Sequence, residues 1–196
     1  PHQFINIPPG VNPLPRKSKE EARQELGITH SPVIGWLARV TGVKNPLLAV
    51  EVAIEIPNAT FIFGGDGDLM PELKRFAPIN SKIYGWVDAA TFLSACDIIL
   101  STSENEGMPV ALIEAQLAGV PVVATNVGST SEVVINNETG IVTDKKKSEL
   151  VAAINRLLAS PETLENMSNS AQSHARTAFS PESMINKHID LYRLLS

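Results

Sequence analysis

The sequence predicts one three-layer α/β/α domain around a parallel sheet of about six strands, and three observations point to it. Short apolar runs alternate with stretches of helical periodicity, the pattern of βαβ units. Most of those runs are apolar on both alternations, as strands covered on both faces must be. The runs also tend to finish in glycine, at Gly64-Gly65, Gly85, Gly107 and Gly128. In open α/β sheets ligands bind beyond the carboxyl ends of strands, where glycine lets backbone approach them.

In chain order, helical periodicity is expected over 18–26, then a strand over 33–37. A helix over 45–56 leads to a strand at 60–64, and one over 68–76 to a strand at 82–84. A helix over 89–95 precedes the clearest buried-strand signal, 97–101. A helix over 109–118 and a strand over 121–125 follow, then a short helix at 129–135 and a strand at 141–142. Three helices close the chain, at 147–159, 161–178 and 181–195, the last opened by Ser180 as N-cap and Pro181 in its first turn. No repeat, low-complexity segment or linker intervenes. Residues 1–196 therefore read as one Rossmann-like domain that includes the helices of about 161–195. The opening, Phe4-Ile5-Asn6-Ile7-Pro8-Pro9-Gly10, reads as mid-fold, so a fragment of something longer is expected.

A length of 196 residues with 43% hydrophobic and 19% charged side chains suits a soluble domain with a sizeable core. Sixteen basic against 21 acidic residues leave −5, which gives a nucleic-acid surface no electrostatic support. A single cysteine, Cys96, permits no internal disulfide, fits a reducing compartment and reads as a small packed side chain. No run approaches the roughly 18 apolar residues of a membrane span.

The most informative stretch is Ser103-Glu104-Asn105-Glu106-Gly107-Met108-Pro109-Val110-Ala111-Leu112-Ile113-Glu114-Ala115. A strand ends, a glycine turn presents a helix N-terminus, and a carboxylate stands on each side, Glu106 and Glu114. Such a terminus favours anions through free N–H groups and the helix dipole, and Pro109 suits the first helical position. The carboxylates cannot bind that anion. They fit hydroxyl acceptors, and an anion beside many hydroxyls describes a sugar phosphate. Glu114 also interrupts an apolar run, which calls for a partner to offset its desolvation, although a solvated helix face explains it too.

Arg39 and Lys44 follow the first strand, where a planar fork and a mobile point charge can converge on a diphosphate; taken alone, the pair reads better as two ordinary surface cations, since any chain this long contains such pairs. Gly64-Gly65-Asp66-Gly67-Asp68 lacks the Lys-Ser/Thr ending of a P-loop, and a tight turn with Asp68 as N-cap accounts for it as well. Tyr84-Gly85-Trp86-Val87 offers a slot for a base, or a cover for the core edge. His2, His30, His174 and His188 lack metal-ligand spacing and default to the surface. Asp144-Lys145-Lys146-Lys147 reads as a solvated loop and helix start. No Ser/His/Asp arrangement or metal carboxylate cluster is visible.

Together these motifs resemble the nucleotide-sugar-binding half of GT-B glycosyltransferases, in the family called glycosyl transferases group one. The residues that carry the resemblance are Glu106-x7-Glu114 in the setting Ser103-x-x-Glu106-Gly107, and Arg39-x4-Lys44 after a strand. Phe63-Gly64-Gly65-Asp66-Gly67, Tyr84-Gly85-Trp86-Val87, Glu114-Ala115-x3-Gly119-Val120-Pro121-Val122-Val123-Ala124, Gly128-x3-Glu132 and Glu138-Thr139-Gly140 add to it. Asn6-Ile7-Pro8-Pro9-Gly10-Val11 looks like the entry into that half.

The resemblance implies that Arg39 and Lys44 hold a donor diphosphate with N–H groups near Gly107 and Met108, that Glu114 binds ribose and that Glu106 contacts the transferred sugar. Backbone around Trp86 and Val87 meets the base, with Gly64, Gly65, Pro109 and Val110 completing the donor site. It further implies transfer from a nucleoside diphosphate sugar with retention, without a required metal or other cofactor. The implied partners are a donor, an N-terminal acceptor-binding domain missing here, and a glycan or lipid-linked acceptor. The implied location is cytoplasmic, at the membrane's cytoplasmic face for a lipid-linked acceptor, and the fragment alone would bind nucleotide weakly and transfer little. Three departures stand out: Ala38 where the family more often has glycine, Ser129 in place of a second glycine, and Thr102 in place of a common proline. A non-catalytic nucleotide-sugar scaffold with the same fold is the alternative, and its weakness is that it needs no such charged set. A sugar-nucleotide epimerase or a phosphorylase fits less well.

Overall fold

A computed structural model describes residues 5–195, so His2 and Phe4 lie outside the described residues. Six parallel strands form one sheet in the order β3-β2-β1-β4-β5-β6: β1 Val33–Leu37, β2 Thr60–Gly64, β3 Ser81–Gly85, β4 Ile98–Ser101, β5 Val122–Thr125 and β6 Gly140–Thr143. β1 aligns with β2 from Val33 opposite Thr60, and with β4 at Ile34 opposite Ile98. Strand order reverses at β1/β4, which makes the crevice beyond their carboxyl ends the favoured ligand site of the fold.

The strands are apolar throughout because both faces are covered. Ile34, Trp36, Phe61, Phe63, Ile98, Leu100 and Val123 point into one core with α2 (Pro46–Glu55), α3 (Met70–Phe76) and α7 (Lys147–Leu158). Val33, Ile62, Ile99, Val122 and Ala124 point into the other, under α1 (Lys19–Glu25), α4 (Ala89–Ala95) and α5 (Val110–Leu117). This two-residue alternation is the pleat itself. A short α6 (Thr130–Val133) follows β5, α8 (Pro161–Ala178) contributes Met167 to the first core and Ala175 to the second, and α9 (Pro181–Leu195) ends the chain. No helix among the described residues is long and apolar enough to cross a membrane.

The expected elements all occur, shifted by a residue or two at their ends. Local chemistry explains several starts. Ser18 and Glu21 close a capping box on α1, and the Asp88 carboxylate accepts the Thr91 N–H at 2.8 Å to open α4. Ser180 Oγ accepts the Ser183 N–H at 3.0 Å, as its N-cap role requires. Asp68, expected to cap α3, does not: the helix begins two residues later, after Leu69, with no side-chain cap. Asp66 instead closes the preceding turn by accepting the Gly67 N–H at 2.8 Å. Pro109 sits just before α5 rather than inside it, at φ −75° and ψ 89°, and its carbonyl accepts from Leu112 and Ile113.

Candidate functional site

The loops beyond β1 and β4 meet at the strand-order reversal. After β1 the chain passes Arg39 and makes a single 3-10 turn, Gly42–Lys44, which ends at Asn45 in the left-handed region at φ 47°. Asn45 tolerates that conformation better than most residues and starts α2 by accepting the Leu48 N–H on its side chain. Beyond β4 come Thr102 and Ser103, both buried, and then Glu106. Lys44 Nζ donates to Glu106 Oε1 at 2.6 Å, and Ser103 Oγ donates to the same oxygen at 2.6 Å. Among the described residues the other Glu106 oxygen makes no hydrogen bond, and the Arg39 guanidinium and Glu114 carboxylate have no partner. Burial pushes the Glu114 carboxyl above its ordinary value.

Two adjoining pockets contain these groups. One, of 330 Å³, is lined by Arg39, Lys44, Ser103, Glu106, Met108 and Val110, among others. The second, of 340 Å³, is lined by Arg39, Gly65, Asp66, Trp86, Val87 and Glu114, among others. Leu37, Ala38, Arg39 and Ala111 belong to both, so Arg39 stands between them. Arg39, Lys44, Glu106 and Glu114, spread over 76 sequence positions, thus share one cleft. The amide N–H groups of Val110 and Ala111 donate to no carbonyl among the described residues, as expected in a first helical turn. The larger cavity of 550 Å³ lies at the opposite end of the sheet, near Ser31, Pro57 and Pro161, and holds none of this charged set.

The other expected positions divide. Pro109 joins the wall of the first pocket. Gly64 is buried beneath Leu37, Val87 and Phe92 and reaches neither wall, while Gly107 lies in the exposed turn outside both lining sets. Gly65, at φ +121°, lies so close to the Ala38 carbonyl that a Cβ would collide with it, and its N–H donates to Gly85 at 2.6 Å. The glycine loop therefore braces the Arg39 loop from behind. Trp86 is 83% exposed at the mouth of the second pocket, whereas Val87 both lines that pocket and packs against the core. Gly128, at φ +51°, abuts the Glu106 backbone, and Ser129 has an ordinary φ of −89°, which is why the second glycine is dispensable. Ser129 Oγ instead donates to Glu132 at 2.9 Å.

Several contributors had no role of their own legible in the sequence. Ser103 and Thr125 form a chain, with Thr125 Oγ1 donating to the Ser103 carbonyl at 2.7 Å. Glu104 receives Asn45 Nδ2 and Lys145 Nζ, both at 2.7 Å, so Lys145 is tied to the site's rim rather than simply solvated. These partners are distant in sequence, and only the sheet order brings them together. His174 departs from its surface default: it is part-buried, packs edge-on against Phe179 at 5.5 Å, and desolvation lowers its pKa. Cys96 is buried, and burial pushes its thiol far up, so it is inert. No group of three or more His, Cys, Asp or Glu side chains suited to a metal ion occurs among the described residues.

The family model "Glycosyl transferases group 1" matches residues 18–174. The chain is 30% identical over 212 residues to a UDP-Gal:alpha-D-GlcNAc-diphosphoundecaprenol alpha-1,3-galactosyltransferase of Escherichia coli, covering 98% of this chain and 54% of that protein. The fold matches sucrose-phosphate synthase from Thermosynechococcus elongatus with a TM-score of 0.84 at 24% identity, over 96% of this chain and 52% of that one. It matches Anabaena HepE, solved in complex with UDP and glucose, with a TM-score of 0.81 at 24% identity, over 89% and 51%. The chain spans about half the length of such relatives. With the parallel α/β/α architecture of half a GT-B fold and a family match over most of its length, the chain belongs to the glycosyl transferases group 1 family.

Proposed function

We propose that this chain is the donor-binding domain of a retaining glycosyltransferase, hexosyl-transferring or related, that moves a sugar from a nucleoside diphosphate sugar to a glycan or lipid-linked acceptor. The observation that carries this is the convergence of two cations and two carboxylates on one cleft at the β1/β4 crevice. Arg39 and Lys44 face a diphosphate, with the unpaired amides of Val110 and Ala111 at the helix start adding donors. The free oxygen of Glu106 accepts hydroxyls of the transferred sugar, while Ser103 and Lys44 fix its other oxygen. Glu114 takes the ribose hydroxyls, whose hydrogen bonds offset the cost of its burial. The second pocket, between Trp86, Val87 and Asp66, takes the base.

In this mechanism the chain's own task is electrostatic. As the glycosidic bond to the diphosphate lengthens, negative charge grows on the leaving phosphate oxygens, and prepositioned Arg39 and Lys44 neutralise it. That role needs no metal ion, so a chelator leaves turnover unchanged. The acceptor is held by the other half of the protein, and this domain by itself binds nucleotide weakly and turns over little. The setting is cytoplasmic, at the membrane's inner face where the acceptor is lipid-linked.

The test is turnover by the intact protein over a panel of nucleotide sugars, with Glu106→Gln beside the parent. Transfer from one of them, reduced at least about 100-fold by Glu106→Gln, is expected from loss of a charged contact made in the transition state. Nucleotide binding with no transfer from any donor favours a non-catalytic scaffold, and unchanged turnover in the variant removes Glu106 from the contact proposed for it.

A further inference from the structure

Thr102 is fully buried at the carboxyl end of β4, and its hydroxyl is the meeting point of three chain segments. The Trp36 indole N–H donates to Thr102 Oγ1 at 2.9 Å. The same oxygen lies 3.0 Å from the Lys44 carbonyl and 2.8 Å from the Asn45 carbonyl. A hydroxyl has one proton to give and can accept as well. Thr102 therefore accepts from Trp36 and shares its own proton between the two carbonyls. Those carbonyls close the 3-10 turn, Gly42–Lys44, at the left-handed Asn45, whose further hydrogen bonds run within the turn to Thr41 and Gly42 and onward to Leu48. Asn45 Nδ2 to Glu104 and the Glu104 N–H to the Val43 carbonyl at 2.8 Å are the outer ties, both on the exposed side.

We infer that Thr102 is a positioning residue for Lys44: its buried hydroxyl anchors the turn that aims the lysine ammonium at the diphosphate. The inference rests on the donor-site reading above and adds a component to it. Its physical basis is that a lysine carries four rotatable carbons and a mobile charge. Geometry at its Cα must therefore be set from the backbone if Nζ is to be held beside Glu106. The Thr102 hydroxyl thus bridges the Trp36 indole to the Lys44 carbonyl. Its removal also orphans a buried indole N–H and withdraws a donor from the two carbonyls.

The experiment is a double-mutant cycle on the intact protein, read as UDP affinity by calorimetry; if the parent prefers another base, the corresponding nucleoside diphosphate replaces UDP. The near-isosteric Thr102→Val is combined with Lys44→Ala, and Thr102→Ser restores the hydroxyl. Thr102→Val is expected to weaken binding about tenfold in the parent, the scale of one lost hydrogen bond. It should change affinity less than twofold once Lys44 is already alanine, because the two act as one unit. Thr102→Ser should bind within about threefold of the parent. Should Thr102→Val not fold, Thr102→Ala enters the same cycle. Equal weakening in both backgrounds, or parental affinity in Thr102→Val when Lys44→Ala alone binds poorly, overturns the inference and leaves the donor site standing. Parental affinity in Lys44→Ala removes the donor-site reading and the inference with it.

Discussion

Lys44 and Glu106, sixty-two positions apart, form an ion pair at 2.6 Å in which the carboxylate is 9% exposed and the ammonium 27%. A paired, partly desolvated cation beside an unpaired one, Arg39, gives the cleft an asymmetric charge. Lys44 is held by Glu106, while the Arg39 guanidinium has no partner among the described residues. Replacing Lys44 with alanine is expected to weaken nucleoside diphosphate binding about 10- to 100-fold, the worth of one charge-assisted contact. Arg39→Lys should cost nearly as much, because a point charge cannot reproduce the two-pronged grip. Calorimetric titration checks both; parental affinity in Lys44→Ala would remove Lys44 from the site, and in Arg39→Lys it would remove the two-pronged grip.

Glu114 sets stability against binding. Burial raises its carboxyl above the ordinary value of about 4.3, so between that value and the raised one the folded protein holds more protons than the unfolded chain. Stability from this group therefore falls as pH rises through that window and stays lower above it. Glu114→Gln should stabilise the unliganded protein at neutral pH by at most about 1 kcal/mol, since the site is half open to water. The gain should vanish below the ordinary value, where both forms are uncharged. The same substitution should weaken donor binding about tenfold. Thermal melts across pH beside a donor titration read both; a variant that melts lower at neutral pH contradicts this assignment.

Gly128 supports Glu106 from behind. With φ +51° and the Glu106 carbonyl in the space a Cβ would fill, Gly128→Ala must strain its own backbone and push the Glu106 loop. A loss of about 2 kcal/mol or more is expected, with turnover falling further than stability accounts for. Gly42→Ala is the control for stability, since a Cβ there meets nothing within 4 Å. Similar melting losses at both positions would contradict the steric argument.

Trp86 offers a ring at the pocket mouth that the fold does not need. Being 83% exposed, it should be replaceable by alanine with a stability change within about 0.5 kcal/mol. Nucleotide affinity should drop by about 1–3 kcal/mol, the scale of one base stacked on an aromatic side chain. Inhibition by inorganic pyrophosphate, which carries no base, should not change. Equal loss for both ligands would move the base out of this pocket.

The fold was legible because the strands are buried on both faces and so announce themselves as apolar runs with glycine ends, from Val33-Ile34-Gly35-Trp36-Leu37 onward. The four charged residues were legible as a set through their motif spacing, and the sheet order then brought them to one cleft. Cap details were less so. Asp68 looked like a cap but yielded to Asp66, because the chain closes its turn on Gly67 before the helix starts. The Trp36–Thr102–Lys44 bridge was not legible at all: its members lie in three segments that adjoin only after β1 pairs with β4. Thr102 had stood out only as a departure from a common proline, with nothing in the local sequence to say what its hydroxyl would reach.

The most direct measurement is a crystal structure of the protein with a bound nucleoside diphosphate, UDP being the first choice. The expected density has the diphosphate between Arg39 and Lys44, ribose hydroxyls on Glu114 and the base beside Trp86 and Val87. Nucleotide seated instead in the cavity near Ser31 and Pro161, or a diphosphate that touches neither Arg39 nor Lys44, would contradict it.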